Sequence, residues 1–477
     1  MTNHDLLTPS SDAPAILYSF SFKQNPNWTT FYPPGREISN YHHEVCESYN
    51  ITDKFQLNTD IQQCTWLEDE KIWEIRLQHL AVGMGDLSSK ERAKVVEEKG
   101  EAAVYLRTEI VRAKIVISCV GGLVEPRSLP NHISGLENFK GKIFHTARWD
   151  DSVDLNDKNV VVVGSGCSAA QLLPGLRKAP HKTRSVTQVM RSPPWVVAAD
   201  PPPGGYEWWN KNSKRAFTFY PPLMGAIRVL VAGLMETQFF QFFGNSPYHA
   251  RQRKICEEQL LKRMKSIAPE KYHEILTPDH DLGCKRRICD QGWYETLCDP
   301  DVELTTQPLS RVGENSIVLG PGVVYPKNAK SDLPEREIPA DVIVLANGFD
   351  TTKWLHSLKV QGKGGKDLSD TMDERGGPQA YLGTAMDGFP NFFMIFGPNT
   401  GTGHTSVIMA SENMVMHSLN FIKPLLQGDV TEVEVKQEAE IAYTSEIQAA
   451  SKNTIFAAGS CNSWYVGENG WNSSAYP

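Results

Sequence analysis

Apolar positions in this chain gather into short unbroken runs, each closed by a polar or glycine-bearing turn. Asn159–Val163 sets four valines in a row and passes straight into Gly-Ser-Gly. AKIVISCVGG (113–122), ADVIVLANGFD (340–350) and NFFMIFGPNTGTGH (391–404) repeat the scheme. A continuous apolar run predicts a strand buried on both faces, as in a parallel sheet. TWLEDEKIWEIRLQHL (65–80), AVYLRTEIVRAK (103–114), SVTQVM (185–190), DVELTTQPLSRV (301–312) and SIVLGPGVVY (316–325) read as further strands. Helical spacing marks 35–50, much of 205–282 and 405–450, while the charged stretch 83–100 reads as a solvated loop or short helix. Strands alternating with helices predict an α/β protein with parallel sheets. The longest apolar stretch, Pro221 to Phe243, is interrupted by Arg228 and Glu236. That predicts a buried helix or a pocket lid rather than a membrane span. No solenoid-period repeat or low-complexity tract is present.

Composition narrows the class. A chain of 477 residues corresponds to about two to four domains. Its net charge of −8 gives no reason to expect nucleic acid as a partner. Nine cysteines without a CxxC pair argue against a disulfide framework and against a metal site, and fit a reducing, cytoplasmic compartment. The opening MTNHDLLTPSSDAP has no apolar core of a secretory signal.

The turn after the valines carries the first chemistry. Gly164, Ser165, Gly166, Cys167, Ser168 and Ala169 spell GxGxxA between a strand and a helix-forming run. In that context Gly164 permits the tight turn and Gly166 lets backbone approach a pyrophosphate. Ala169 lets helix and strand pack closely, and the helix N-terminus faces the phosphates. The following strand ends in Arg191-Ser192 with no carboxylate, which favours NADPH over NADH.

FKGKIFHTARWD (139–150) satisfies F-x-G-x-x-x-H-x-x-x-W-[PD] through Phe139, Gly141, His145, Trp149 and Asp150. This resembles the fingerprint of Baeyer–Villiger monooxygenases, the class B flavoprotein monooxygenases. ILYSFSFKQNPNW (16–28), CKRRICDQGWYETLCDPDVEL (284–304), FMIFGPNTGTGH (393–404) and the C-terminal SCNSWYVGENGWNSSAYP are similar to other stretches of that family, so the likeness covers nearly the whole chain. The resemblance implies an oxidoreductase with two Rossmann-like domains. The FAD-binding domain would comprise 1–138 and 336–477. The NADPH-binding domain would span 139–335, with a helical insertion at about 205–282. FAD and NADPH would be the cofactors, and O2 and a ketone the substrates. One oxygen atom would be inserted beside the carbonyl, in a hydrophobic ketone of secondary metabolism.

By the same resemblance Arg286 is the active-site arginine and Asp12 its hydrogen-bonding partner. Tyr18 would contact the flavin. Lys285 would grip the 2′-phosphate with Arg191 and Ser192. His145, with Trp149, would couple cofactor movement rather than act as acid or base. Two departures stand out. Only 11 residues precede Asp12, none a glycine, whereas a βαβ opening needs about 30 or more. The FAD domain is therefore expected to lack its first βαβ unit, as in a truncated gene model. A flavin N- or S-hydroxylating monooxygenase, or a catalytically silent NADP-binding relative, stays open as an alternative. Asn347 stands where the family carries threonine.

Overall fold

The structure is a computed structural model that describes residues 11, 13–178, 181–199, 201–327, 332–351, 354–401, 403, 406–457 and 463–476. Asp12 lies outside them. The chain divides into two compact units. One gathers the segment ending at Ile16 with Gln24–His43 and Pro126–Gly348; the other holds Leu17–Lys23, Glu44–Glu125 and the chain from Phe349 onward.

The first unit is built on a parallel five-stranded sheet. Its strands are β1 (Lys142–His145), β2 (Asn159–Val163), β3 (Ser185–Val189), β4 (Val302–Thr305) and β5 (Val342–Leu345), in the order β4-β3-β2-β5-β1. The four-valine run shows why it is continuous. Val160 and Val162 enter one core with Val186, Val342 and Val344, while Val161 points the other way, to Ile343 and Val189. All three central valines are at most 1% exposed, each worth roughly 1.5–3 kcal/mol of burial. Helix α1 (Cys167–Leu176) packs Ala169, Ala170, Leu172, Leu173 and Leu176 onto the first of these cores. Ala169 is fully buried there, the close helix–strand approach expected of a small residue.

The region after β3 is helical, as expected: α2 (Gly205–Phe219), α3 (Pro221–Phe242) and α4 (Pro247–Ile267). Ser246 caps α4 by accepting from the His249 amide, with Pro247 opening the helix. The stretch 221–243, expected as a buried helix or a pocket lid, forms a helix buried on one side only. On α3, Met224, Arg228 and Val231 are buried while Leu223, Val229, Leu230 and Leu234 stand in solvent. DVELTTQPLSRV also divides: β4 takes its first half, and Leu309–Val312 joins an antiparallel sheet with Ser316–Leu319 and Arg336–Pro339. The break falls at Pro308, whose missing N–H cannot continue a ladder.

The second unit carries an antiparallel meander of Thr59–Leu67, Ile72–Leu80 and Tyr105–Ala113, with Lys359–Gln361 parallel to its first strand. Inside 83–100 lies a true helix, Ser89–Lys99, started by a Ser88/Glu91 capping box. Val116–Ser118 pairs parallel with Phe392–Met394, and helix α5 (Val407–Gln427) follows. Among the described cysteines seven are free thiols, whereas Cys284 is disulfide-bonded. There is thus a bond where scattered thiols were expected.

Candidate active site

The site in the first unit begins at the turn after β2. Gly164 has φ +133°, and a Cβ there would collide with the Ala346 carbonyl. Ala346 cannot retreat, because its amide donates to Val163 O at 2.8 Å. Gly166, by contrast, faces open space where a side chain would be. It also begins α1 without a side-chain cap, so the first amides of the helix are presented to an incoming anion. The fit to a pyrophosphate is therefore steric and electrostatic.

Beside the turn, Ser165 Oγ donates to the Ser192 carbonyl at 2.8 Å, and Lys285 Nζ donates to Ser192 Oγ at 3.2 Å. Lys285 and Ser192 are 93 positions apart in the chain, and this hydrogen bond brings them together. Burial holds the Lys285 ammonium below the ordinary lysine range, the Arg191 guanidinium pushes it further, and only Asp279 opposes. A buried lysine beside an arginine forms a place for a phosphate. The Lys285-Arg286-Arg287 run leads into the short strand Ile288–Asp290, which pairs parallel with Val196–Ala198. Cys167 Sγ, at the start of α1, donates to Arg287 O at 3.9 Å. Arg286, in the middle of this run, is exposed.

His145 ends β1 and is 7% exposed. Its Nδ1 accepts from the Ala147 amide at 3.0 Å, so Nε2 carries the proton and donates to Gly348 O at 3.0 Å. Both nitrogens are committed in a neutral ring, which suits a tether rather than an acid or base. Trp149 packs edge-on to Phe144 at 4.9 Å, and Asp150 turns the chain by accepting from the Ser152 amide and hydroxyl. Asn347 Nδ2 donates to Ser128 O at 3.1 Å.

Sequence reasoning missed Gln188. It is fully buried in β3, its Nε2 donating to Gly164 O at 2.8 Å and its Oε1 accepting from Trp293 Nε1 at 2.9 Å. It thereby fixes the glycine turn from behind. The available signal was an amide side chain inside an otherwise strand-like run, because a buried polar group must be satisfied.

His280 is a second such residue. It lines a cavity of about 400 Å³ with Trp195, Glu257 and Asp279 and is 5% exposed. Burial, then the charge of Lys285, lowers its pKa to about 4. A base depressed in the folded state contributes stability above its unfolded pKa of 6.5 that is lost as pH falls toward 4. Urea denaturation should show up to about 3 kcal/mol of such loss, and His280→Leu should remove that part of the acid limb. An unchanged limb would assign it to other groups.

The sequence model of the "flavin-binding monooxygenase-like" family matches residues 84–263. A Baeyer–Villiger monooxygenase of Pseudomonas aeruginosa is 29% identical over 456 residues, 95% of this chain and 76% of the relative. Over nearly its whole length the chain is similar to flavin-binding and Baeyer–Villiger monooxygenases. The FAD-binding monooxygenase ktnD of Aspergillus niger is 28% identical over 473 residues, covering 98% of this chain and 70% of that protein. The fold is that of the NADP+-bound cyclohexanone monooxygenase from Rhodococcus sp. Phi1, at TM-score 0.74 and 23% identity, covering 99% of this chain and 86% of that one.

The second unit has another helix start without a side-chain cap, that of α5. Ser406 precedes α5 but does not cap it; its Oγ donates to Leu17 O at 2.8 Å. Glu412, one turn on, accepts from the amide and hydroxyl of Ser21 at 2.7 and 2.8 Å. Tyr18 is held between these clips, half-buried beside the start of α5. An uncapped helix N-terminus and an adjacent tyrosine fit the electron-rich edge of a flavin.

Proposed function

We propose that the chain is an NADPH- and FAD-dependent monooxygenase of the Baeyer–Villiger type, acting on a hydrophobic ketone. The observation that carries this is the convergence of the GxGxxA turn with Ser192 and Lys285, beside the segment that bears Arg286. In this reading residues 139–335 bind NADPH, and 1–138 with 336–477 bind FAD. The backbone of 164–169 takes the pyrophosphate, and Arg191, Ser192 and Lys285 take the 2′-phosphate. Bound FAD would supply the redox chemistry that links NADPH to O2. Arg286, always charged, stabilises negative charge developing on oxygen as the new carbon–oxygen bond forms. Asp12 orients its guanidinium. Ser11, the residue before Asp12, is itself anchored by Gln291 Nε2 at 3.2 Å. His145 and Trp149 hold the backbone that passes into the nucleotide-binding unit. Ketone, O2, NADPH and a proton yield ester or lactone, water and NADP+.

The test is the purified chain given NADPH, a panel of cyclic and aryl ketones, and isotopically labelled O2. A yellow protein that consumes NADPH and places one labelled oxygen in an ester supports the reading. A colourless protein that binds NADPH and makes no ester overturns it in favour of a silent NADP-binding relative. Oxygen transfer to nitrogen or sulfur alone would overturn the ketone assignment.

A further inference from the structure

Helix α3 is inside out. Arg228 points inward and donates to the Ile16 carbonyl at 2.9 Å, flanked on the buried side by Met224 and Val231. The outward side carries Leu223, Val229, Leu230 and Leu234, with Val229 73% exposed. Just ahead of it, Phe219 is 90% exposed and Tyr220 59%. Leucines facing water while an arginine is satisfied inside is the reverse of a surface helix on a soluble core.

Helix α2 adds charge of one sign. Its exposed side bears Lys211, Lys214 and Arg215 against the single acid Glu207, and it runs directly into Phe219. The surrounding chain is net negative, at −8, so this basic stripe beside an apolar one is a local device. On α3 the only acid is Glu236. No helix among the described residues is long and apolar enough to cross a membrane.

We infer that α2 and α3 dock the protein in the plane of an anionic lipid bilayer. The α3 leucines and Val229 enter the headgroup–acyl boundary, Phe219 and Tyr220 lie at the interface, and Lys211, Lys214 and Arg215 meet lipid phosphates. A second copy of the chain fits less well, since it would offer the same cations rather than their partners. Such docking would bring apolar ketones dissolved in the bilayer to the protein, but it does not depend on the proposed reaction.

The experiment is flotation of the full chain with vesicles of phosphatidylcholine alone or doped with phosphatidylserine. Wild type should float with the doped vesicles and poorly with the neutral ones. The variant Val229→Asp/Leu230→Asp/Leu234→Asp should not float with either. Lys211→Gln/Lys214→Gln/Arg215→Gln should lower partition to the anionic vesicles by roughly 100-fold and leave the neutral ones unchanged. Because all six positions face solvent, both variants should melt like wild type and keep NADPH binding, read by nicotinamide fluorescence. Failure of wild type to float, or flotation indifferent to both variants, overturns the inference. So does a concentration-dependent dimer, seen by sedimentation velocity, that the aspartate variant dissociates while no vesicle binding occurs.

Discussion

Gly164→Val is expected to abolish measurable NADPH binding and to weaken the nucleotide-binding unit. The backbone at 164 sits at φ +133°, a region that a β-branched residue occupies only under strain of about 1–3 kcal/mol. The new Cβ also meets the Ala346 carbonyl, at a point where two neighbouring strands of the sheet are locked by the Ala346–Val163 hydrogen bond. Relief requires parting β2 from β5 or shifting the turn off Gln188, whose amide then loses a buried acceptor. The combined cost should exceed about 3 kcal/mol in urea denaturation, with NADPH affinity falling at least about 100-fold. Gly166→Ala is the control that separates the two effects. Its φ of −78° suits any residue and its Cβ meets nothing, so stability should hold while the methyl intrudes on the phosphate space and weakens NADPH. Wild-type affinity in Gly164→Val would remove the turn from the nucleotide site.

Arg286→Ala should cut ester formation by roughly 100- to 1,000-fold, the range for losing one donor to a developing oxyanion, while NADPH oxidation persists. Arg286 is exposed, so truncating it opens no cavity in the core. The measurement is the ratio of ester formed to NADPH consumed, which should collapse as reducing equivalents drain to O2. Arg286→Lys should recover little, because a point charge does not reproduce a planar fork of donors. An unchanged ratio in the alanine variant would dismiss Arg286 from the reaction.

Much of this architecture is local and therefore legible. The valine run of β2 predicts a strand buried on both faces because its side chains alternate between two cores, and both cores are there. The glycine turn is readable because only a residue without Cβ can pass beneath Ala346, and Ala169 because a larger side chain would hold α1 off the sheet. FKGKIFHTARWD carries its resemblance on residues with steric and tethering contacts: a Cβ on Gly141 would collide with the Phe139 ring and the Asp341 carbonyl, and His145 closes onto Gly348.

Other features depended on partners far away in sequence. Composition marked 221–243 as an apolar stretch, but nothing in it says which side meets the protein; Arg228 turns inward to the Ile16 carbonyl while the leucines face out. Gln188 became a support for the site only when Trp293 and Gly164 closed on it from 105 and 24 positions away. Lys285 was one charge in a basic run until folding set it against Ser192 and beside Arg191. By itself the sequence determined which residues could be strand, turn and helix, because those preferences are settled by neighbours in the chain. The tertiary structure decided which polar groups became a site, since burial and convergence exist only once distant segments pack together.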